Sequence, residues 1–386
     1  MKICFIMSTP FTQGGEQRVV SVISNILTQK NNEVFILCVD KKTMINYEMY
    51  KLNKKVNIIV LSEKGIFEKM KSLFLKIIRK IGRITNFSVL KNIQIEKCQI
   101  IRTINDNNFE VVIGVAGYYS VLLASIKNKI NSKVIGWQHN SFDAYFRNEN
   151  RYYWKLDNMF IKSIPKLDKY IVLTKSDKEK FKKEFNVDTT VIYNPKSFNS
   201  NEISRLDNNI FLAAGRYTYA KGFDMLIDAF KIFAKKNEEW RLIIVGEGEE
   251  KDKLQQMILK YSMENRITLE PFTNNIKRYM LNASALLISS RWEGMPMVVL
   301  EAMEMGLPVI GYNIPVLNEI IENEKEGMII EKNNVEEYAQ VLIHFSQDDV
   351  LRKKLSKNIK IKSENFSHEK IGQNWEDLLT KVCNKK

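Results

Sequence analysis

Two glutamates, Glu293 and Glu301, stand eight positions apart around Gly294-Met295-Pro296 in the stretch "SRWEGMPMVVLEAMEMGLPVIGY" (290–312). The surroundings are mostly apolar, and desolvating an unpartnered carboxylate is expensive. The preceding "ALLISS" (285–290) reads as a strand. Pro296 suits the first turn of a helix, which Gly306 and Pro308 end before the next strand. Glu293 then belongs to a strand-to-helix loop, and Glu301 lies inside the helix. Gly294 lets a ligand approach the backbone closely. The free amides near Met297 and Val298, with the helix dipole behind them, form an anion site. A phosphate flanked by two hydroxyl-binding carboxylates suits a sugar nucleotide. On spacing alone, an exposed Glu301 and a helix-capping Glu293 remain the alternative.

A second group lies in "AAGRYTYAKGFDMLIDAF" (213–230). Arg216 and Lys221 follow a strand and precede a helix, where a guanidinium fork and an ammonium point charge can grip a diphosphate. A third is "STPFTQGGEQRVV" (8–20), whose Gly14-Gly15 pair permits close backbone approach at a helix start. It lacks the Gly-x-Gly-x-x-Gly spacing of a dinucleotide site, which disfavours a nicotinamide dehydrogenase. His139 closes the run "VIGWQH" (134–139) and could contact a bound sugar, or serve structure alone; His344 and His368 look like surface helix and loop residues. No Asp-x-Asp follows an apolar strand, and no His/Cys cluster has metal spacing, so neither metal nor cofactor is expected.

The elements that must hold these residues repeat along the chain. Strand-like runs fall at 2–7, 33–39, 57–61, 111–115, 134–139, 169–174 and 190–195, and after a polar linker at 210–215, 241–246, 267–272, 285–290, 308–312 and 327–331. Continuous apolar strands alternating with amphipathic helices imply parallel sheets covered on both faces. Two sets in 386 residues imply two Rossmann-like α/β domains, 1–190 and 195–366. Ligands of such sheets collect beyond the carboxyl ends of the strands, where all four groups fall.

The chain is 45% hydrophobic, with only 16 glycines and 7 prolines, as in a globular protein. Cys4 and Cys38 lie in apolar runs, and no Cys-x-x-Cys pair occurs, which suggests reduced core thiols and a cytoplasmic setting. The opening "KICFIM" is too short for a signal core, and no apolar run approaches the roughly 20 residues of a membrane span. A net charge of +14 asks for an acidic partner or reflects a lysine-rich solubilising surface. A nucleic-acid binder would explain it, but no reader module or aromatic-basic motif is present. A helix over 65–84 would place Lys69, Lys76, Arg79, Lys80 and Arg83 on one face and apolar residues on another. Such a helix can lie on an anionic membrane or pack on its own domain.

Together, "GGEQR", His139, Arg216…Lys221-Gly222, "VGEGEE" (245–250) and Glu293-Gly-Met-Pro…Glu301 resemble glycosyltransferase family 4. The order extends over most of the chain, and the helix over 367–386 resembles the one that returns to the N-terminal domain in that family. The resemblance implies a GT-B fold, with two Rossmann-like domains facing each other across a cleft, the first serving the acceptor and the second the nucleotide-sugar donor. It implies a retaining, metal-independent hexosyl- or N-acetylhexosaminyltransferase of polysaccharide, capsule or lipopolysaccharide assembly, peripheral to the inner face of the membrane. The donor would be a UDP-sugar and the acceptor lipid-linked or oligosaccharide. By the same resemblance Glu301 would hold the ribose, Glu293 the transferred sugar, and Arg216 and Lys221 the diphosphate with amides around Met295, Met297 and Val298. Gly246 and Phe272 would border the nucleotide, His139 the reacting sugar, and Gly14, Gly15 and Arg18 the acceptor or donor phosphate. Gln17 stands where the family often has Glu, and can still cap the helix start. A UDP-sugar 2-epimerase of the same fold is the nearest alternative.

Overall fold

A computed structural model describes residues 1–61, 87–149 and 152–384. The basic residues Lys69, Lys76, Arg79, Lys80 and Arg83, and the helix expected over 65–84, lie outside the described residues. The chain divides into two compact units, one of residues 1–138, 156–171 and 376–386, the other of 139–155 and 172–375. These divisions fall at other points than the 190–195 boundary read from the sequence: 139–155 and 172–190 associate with the second unit.

The first unit carries β1 (Lys2–Met7), β2 (Glu33–Cys38), β3 (Asn57–Val60), β4 (Val111–Val115), β5 (Lys133–Trp137) and β6 (Lys169–Val172), in the order β3-β2-β1-β4-β5-β6. Its pairings are parallel. Ile3 through Met7 are fully buried, which explains why β1 is uninterrupted by polar residues. Cys4 and Cys38 are free, buried thiols; burial pushes both upward in pKa, Cys38 to about 12.

After the short β7 (Thr190–Val191), the second unit builds β8 (Ile210–Ala214), β9 (Arg241–Val245), β10 (Ile267–Glu270), β11 (Ala285–Ile288), β12 (Val309–Tyr312) and β13 (Gly327–Ile330) into a sheet ordered β10-β9-β8-β11-β12-β13. All its pairings are parallel. Its core centres on Phe211, whose ring stands 4.4 Å from that of Trp240 and 5.4 Å from that of Phe233. Both units are thus parallel-sheet α/β structures.

Each strand run read from the sequence contains a strand, but most end one or two residues early. Leu61, His139, Gly215 and Gly246 fall in the loops beyond. Apolar character continues past the last ladder pair, because the ligand-side loops are sheltered too. One expectation fails outright: His368 is no surface loop residue. It begins the helix His368–Cys383, and its Nε2 lies 2.7 Å from the Lys196 carbonyl.

Candidate active site

In the second sheet β8 has β9 on one side and β11 on the other, so the strand order reverses between β8 and β11. Loops leaving neighbouring strands at such a reversal diverge to opposite faces and open a crevice between them. Here those loops carry Arg216 to Lys221 and Ser290 to Glu293.

The two loops are stitched together. Lys221 Nζ lies 2.5 Å from Glu293 Oε1, which also accepts from Ser290 Oγ at 2.7 Å. Ser289 Oγ donates to the Lys221 carbonyl at 2.9 Å, and the Arg291 N–H to the Ala220 carbonyl at 2.8 Å. The Arg291 guanidinium forks onto both Asp224 oxygens at 3.0 Å, at the start of the helix Phe223–Ala234. Burial works to raise the Asp224 carboxyl, but Arg291 and Lys253 outweigh it and hold it below the usual range. Gly222 sits in the left-handed region at φ 63°, and a Cβ there would lie 2.2 Å from the Ser289 carbonyl oxygen. Only glycine fits both demands. The side chains of Lys221 and Glu293 are 21% and 11% exposed, sheltered enough to be oriented yet open to a ligand.

The segment after Glu293 is equally constrained. A Cβ on Gly294 would lie 2.7 Å from the Asn140 Cα and from the His139 carbonyl oxygen, so the loop after β11 packs directly on the chain at 139–140. Asn194 donates its N–H to Met295 Sδ at 3.1 Å and its Nδ2 to the Met295 carbonyl at 3.2 Å. The helix Met297–Glu304 follows, with Pro296 as its N-cap and no side-chain cap on its first amides. Met295 and Met297 are buried, and Val298 is half-buried.

Glu301 is 1% exposed and accepts from Ser197 Oγ at 2.6 Å. The reading of Glu301 as an exposed helix residue is therefore wrong. One turn on, Glu304 is also buried, and accepts from Lys196 Nζ at 2.6 Å, Lys360 Nζ at 2.9 Å and the Ser200 N–H at 2.7 Å. Burial works against both charges, but their mutual bonds prevail, lowering the Glu304 pKa and raising that of Lys196. Sequence reasoning missed Glu304, Lys196, Ser197, Ser290 and Asn194. The one available signal was the three-residue spacing of Glu301 and Glu304, which puts them on one helix face.

Part of His139 remains accessible, yet its ring lies deep enough that burial pushes its pKa down to about 3. It is a neutral imidazole at physiological pH. Arg216 is exposed on the loop after β8. The adjacent Tyr217 is fully buried, donating from its hydroxyl to the Ile244 and Glu270 carbonyls. Gly246 packs on Gly215, where a Cβ would come within 2.0 Å of the Gly215 carbonyl oxygen; Phe272 is half-buried beyond β10.

Gly14, Gly15 and Arg18 belong to the first unit, at the start of the helix Gly15–Gln29. The N-cap of this helix is Gly14, which has no side chain to cap the first amides. The Gly14 N–H instead donates to Tyr50 Oη at 2.9 Å, and the Arg18 guanidinium stands 5.3 Å from the Tyr50 ring centre. Among the described residues no cluster of three His, Cys, Asp or Glu could hold a metal, and no helix is long and apolar enough to cross a membrane.

Residues 196–362 match the family described as glycosyl transferases group 1. An uncharacterized glycosyltransferase of Haemophilus influenzae is 27% identical over 98% of this chain and 99% of its own. The N-acetylgalactosamine-N,N'-diacetylbacillosaminyl-diphospho-undecaprenol 4-alpha-N-acetylgalactosaminyltransferase of Campylobacter jejuni is 25% identical over 93% of this chain and 94% of its own. Among solved structures, Anabaena HepE in complex with UDP superposes with a TM-score of 0.78 at 16% identity, covering 99% of this chain and 100% of that one. Residues 196–362, which carry Arg216, Lys221, Glu293 and Glu301, thus share the glycosyl transferases group 1 pattern within a chain of GT-B fold.

Proposed function

We propose that this protein is a retaining glycosyltransferase that moves a hexosyl or N-acetylhexosaminyl unit from a UDP-sugar onto a lipid-linked or growing glycan, without a metal. The observation that carries this reading is the Lys221–Glu293–Ser290 cluster beside the start of the helix bearing Glu301. It combines a cation for a diphosphate, carboxylates for hydroxyls and uncapped helix amides for a phosphate. The names of relatives support the substrate classes: one acts on a diphospho-undecaprenol-linked sugar, and one structural neighbour holds UDP.

In this reading the bond from the anomeric carbon to the phosphate oxygen breaks, and its electron pair leaves on the diphosphate. An acceptor hydroxyl adds to the same face of the ring through an oxocarbenium-like state, its proton passing to the departing phosphate oxygen. Lys221, Arg216 and the amides at Met297 and Val298 stabilise the departing charge, and Glu301 orients the ribose. Glu293, with His139 as a neutral hydrogen-bonding partner, holds the transferred sugar. Gly246 and Phe272 border the nucleotide, and Gly14, Gly15 and Arg18 serve the acceptor. Attachment to the cytoplasmic face of the membrane is part of this proposal, since a lipid-linked acceptor resides there.

The test is thermal-shift screening against UDP- and GDP-sugars, followed by assay of the best donor with diphospho-undecaprenol-linked acceptors and determination of the product anomer by NMR. A donor at about 100 times its Kd stabilises the fold by roughly 2.7 kcal/mol. Transfer with retained configuration, undiminished by chelator, is expected. An inverted product, a chelator-sensitive rate, or conversion of the donor without any acceptor would overturn the reading.

A further inference from the structure

Lys221 is presented by a single 3₁₀ turn, Tyr219–Lys221, in the loop after β8. Such a turn has poor hydrogen-bond geometry. Its own closing bonds are two, from the Lys221 N–H to the Thr218 carbonyl at 3.0 Å and from the Gly222 N–H to the Tyr219 carbonyl at 3.3 Å. What holds it besides comes from the loop after β11, which takes all three carbonyls of the turn in succession. Arg291 Nη1 donates to the Tyr219 carbonyl at 2.7 Å, the Arg291 N–H to the Ala220 carbonyl at 2.8 Å, and Ser289 Oγ to the Lys221 carbonyl at 2.9 Å.

Arg291 makes two of these three bonds, and its guanidinium is itself fixed. Nη1 and Nη2 each meet an Asp224 oxygen at 3.0 Å, and Cζ lies 3.9 Å from the centre of the Tyr219 ring. Asp224 opens the helix Phe223–Ala234 and also meets Lys253 Nζ at 3.3 Å. Both hydrogens of Nη1 are therefore spent within the protein, on Tyr219 and Asp224. A lysine could not do the same, because an ammonium is a point charge without a planar fork.

We propose that Arg291 is a positioning residue: clamped by Asp224, it fixes the Tyr219–Lys221 turn and so sets where Lys221 Nζ can reach. It acts through Lys221 and touches neither donor nor acceptor. The consequence for catalysis rests on the transferase reading above; the clamp on Lys221 does not.

Two measurements on the full chain test this, in Arg291→Lys and Asp224→Asn variants whose circular dichroism matches the wild type. The first needs no activity: the rate at which acetic anhydride acetylates Lys221, followed by mass spectrometry. Release of the turn loosens the Lys221–Glu293 pair and should raise that rate about threefold or more, with the exposed Lys353 unchanged as a control. The second is a double-mutant cycle in sugar transfer. Arg291→Lys should lower kcat roughly tenfold or more. In a Lys221→Ala background it should change kcat by less than about twofold, since nothing is left to position. A merely structural defect would persist there in full. Unchanged Lys221 acetylation in both folded variants, an undiminished kcat in Arg291→Lys, or a loss that persists without Lys221 would overturn the assignment. Faster acetylation in a protein that transfers no sugar keeps the clamp and removes the transferase reading.

Discussion

Lys221 Nζ and Glu293 Oε1 stand 2.5 Å apart, joining the loop after β8 to the loop after β11. The two residues assigned to a diphosphate and a sugar are one unit. An ammonium has three donors, so Lys221 can keep Glu293 oriented while it meets a phosphate oxygen.

Their coupling is testable by a double-mutant cycle. Lys221→Ala should lower kcat by a hundredfold or more, on the scale of about 3 kcal/mol for one lost transition-state donor. Glu293→Gln should slow sugar transfer more than it weakens nucleotide binding. The double variant should lose less than the product of the two, because residues acting as a unit are not additive. Arg216→Ala should also fall by about a hundredfold. Steady-state kinetics decides: near-wild-type turnover in both Lys221→Ala and Arg216→Ala removes the diphosphate assignment.

The second expectation concerns Glu304, which with Lys196 forms an ion pair whose side chains are both 3% exposed. Lys196 Nζ also meets Glu364 Oε1 at 2.8 Å, but that carboxylate is 65% exposed, so removing Glu304 takes away the buried ammonium's sheltered partner, at a cost of about 3 kcal/mol. Glu304→Ala should therefore unfold at markedly lower urea, and Lys196→Met combined with Glu304→Leu should recover much of the loss. A shift below about 1 kcal/mol in Glu304→Ala would show that the pair does not anchor this helix.

Gly294 offers a test of geometry alone. A methyl group there meets backbone atoms at 2.7 Å on both Asn140 and His139, and backbone cannot swing aside as a side-chain tip can. Gly294→Ala should displace the loop bearing Glu293. A misplacement of about 1 Å costs on the order of a hundredfold in rate. Normal kcat in a folded Gly294→Ala protein would mean that this close approach has no part in positioning Glu293.

Asp177 gives a pH signature. Burial raises its carboxyl from the ordinary 3.8 to about 6, so the folded state holds this proton more tightly than the unfolded chain does. Stability from this group is fully present below pH 3.8 and is lost as pH rises through about 6, amounting to about 3 kcal/mol at pH 7. The Asp177→Asn variant would lack that dependence, while its amide carbonyl could still accept from the Phe142 N–H. The melting temperature of Asp177→Asn relative to wild type should thus rise between pH 4 and pH 7. A flat or falling difference would show that the carboxylate already has a full set of partners.

Much of this protein could be read from its residues in order. Strands buried on both faces must be apolar throughout, so β1 to β13 stand out as runs, and their carboxyl ends mark where ligands gather. Glu293 and Glu301 stand out for the opposite reason, as carboxylates in apolar company. Their partners were not legible. Lys221 is 72 residues from Glu293, and Ser197 is 104 residues from Glu301. Glu304 reads as an ordinary helix acid until Lys196 and Lys360 arrive from either side of it. Local patterning reports which side of an element avoids water; which distant group then satisfies a buried charge is decided only when the chain closes upon itself.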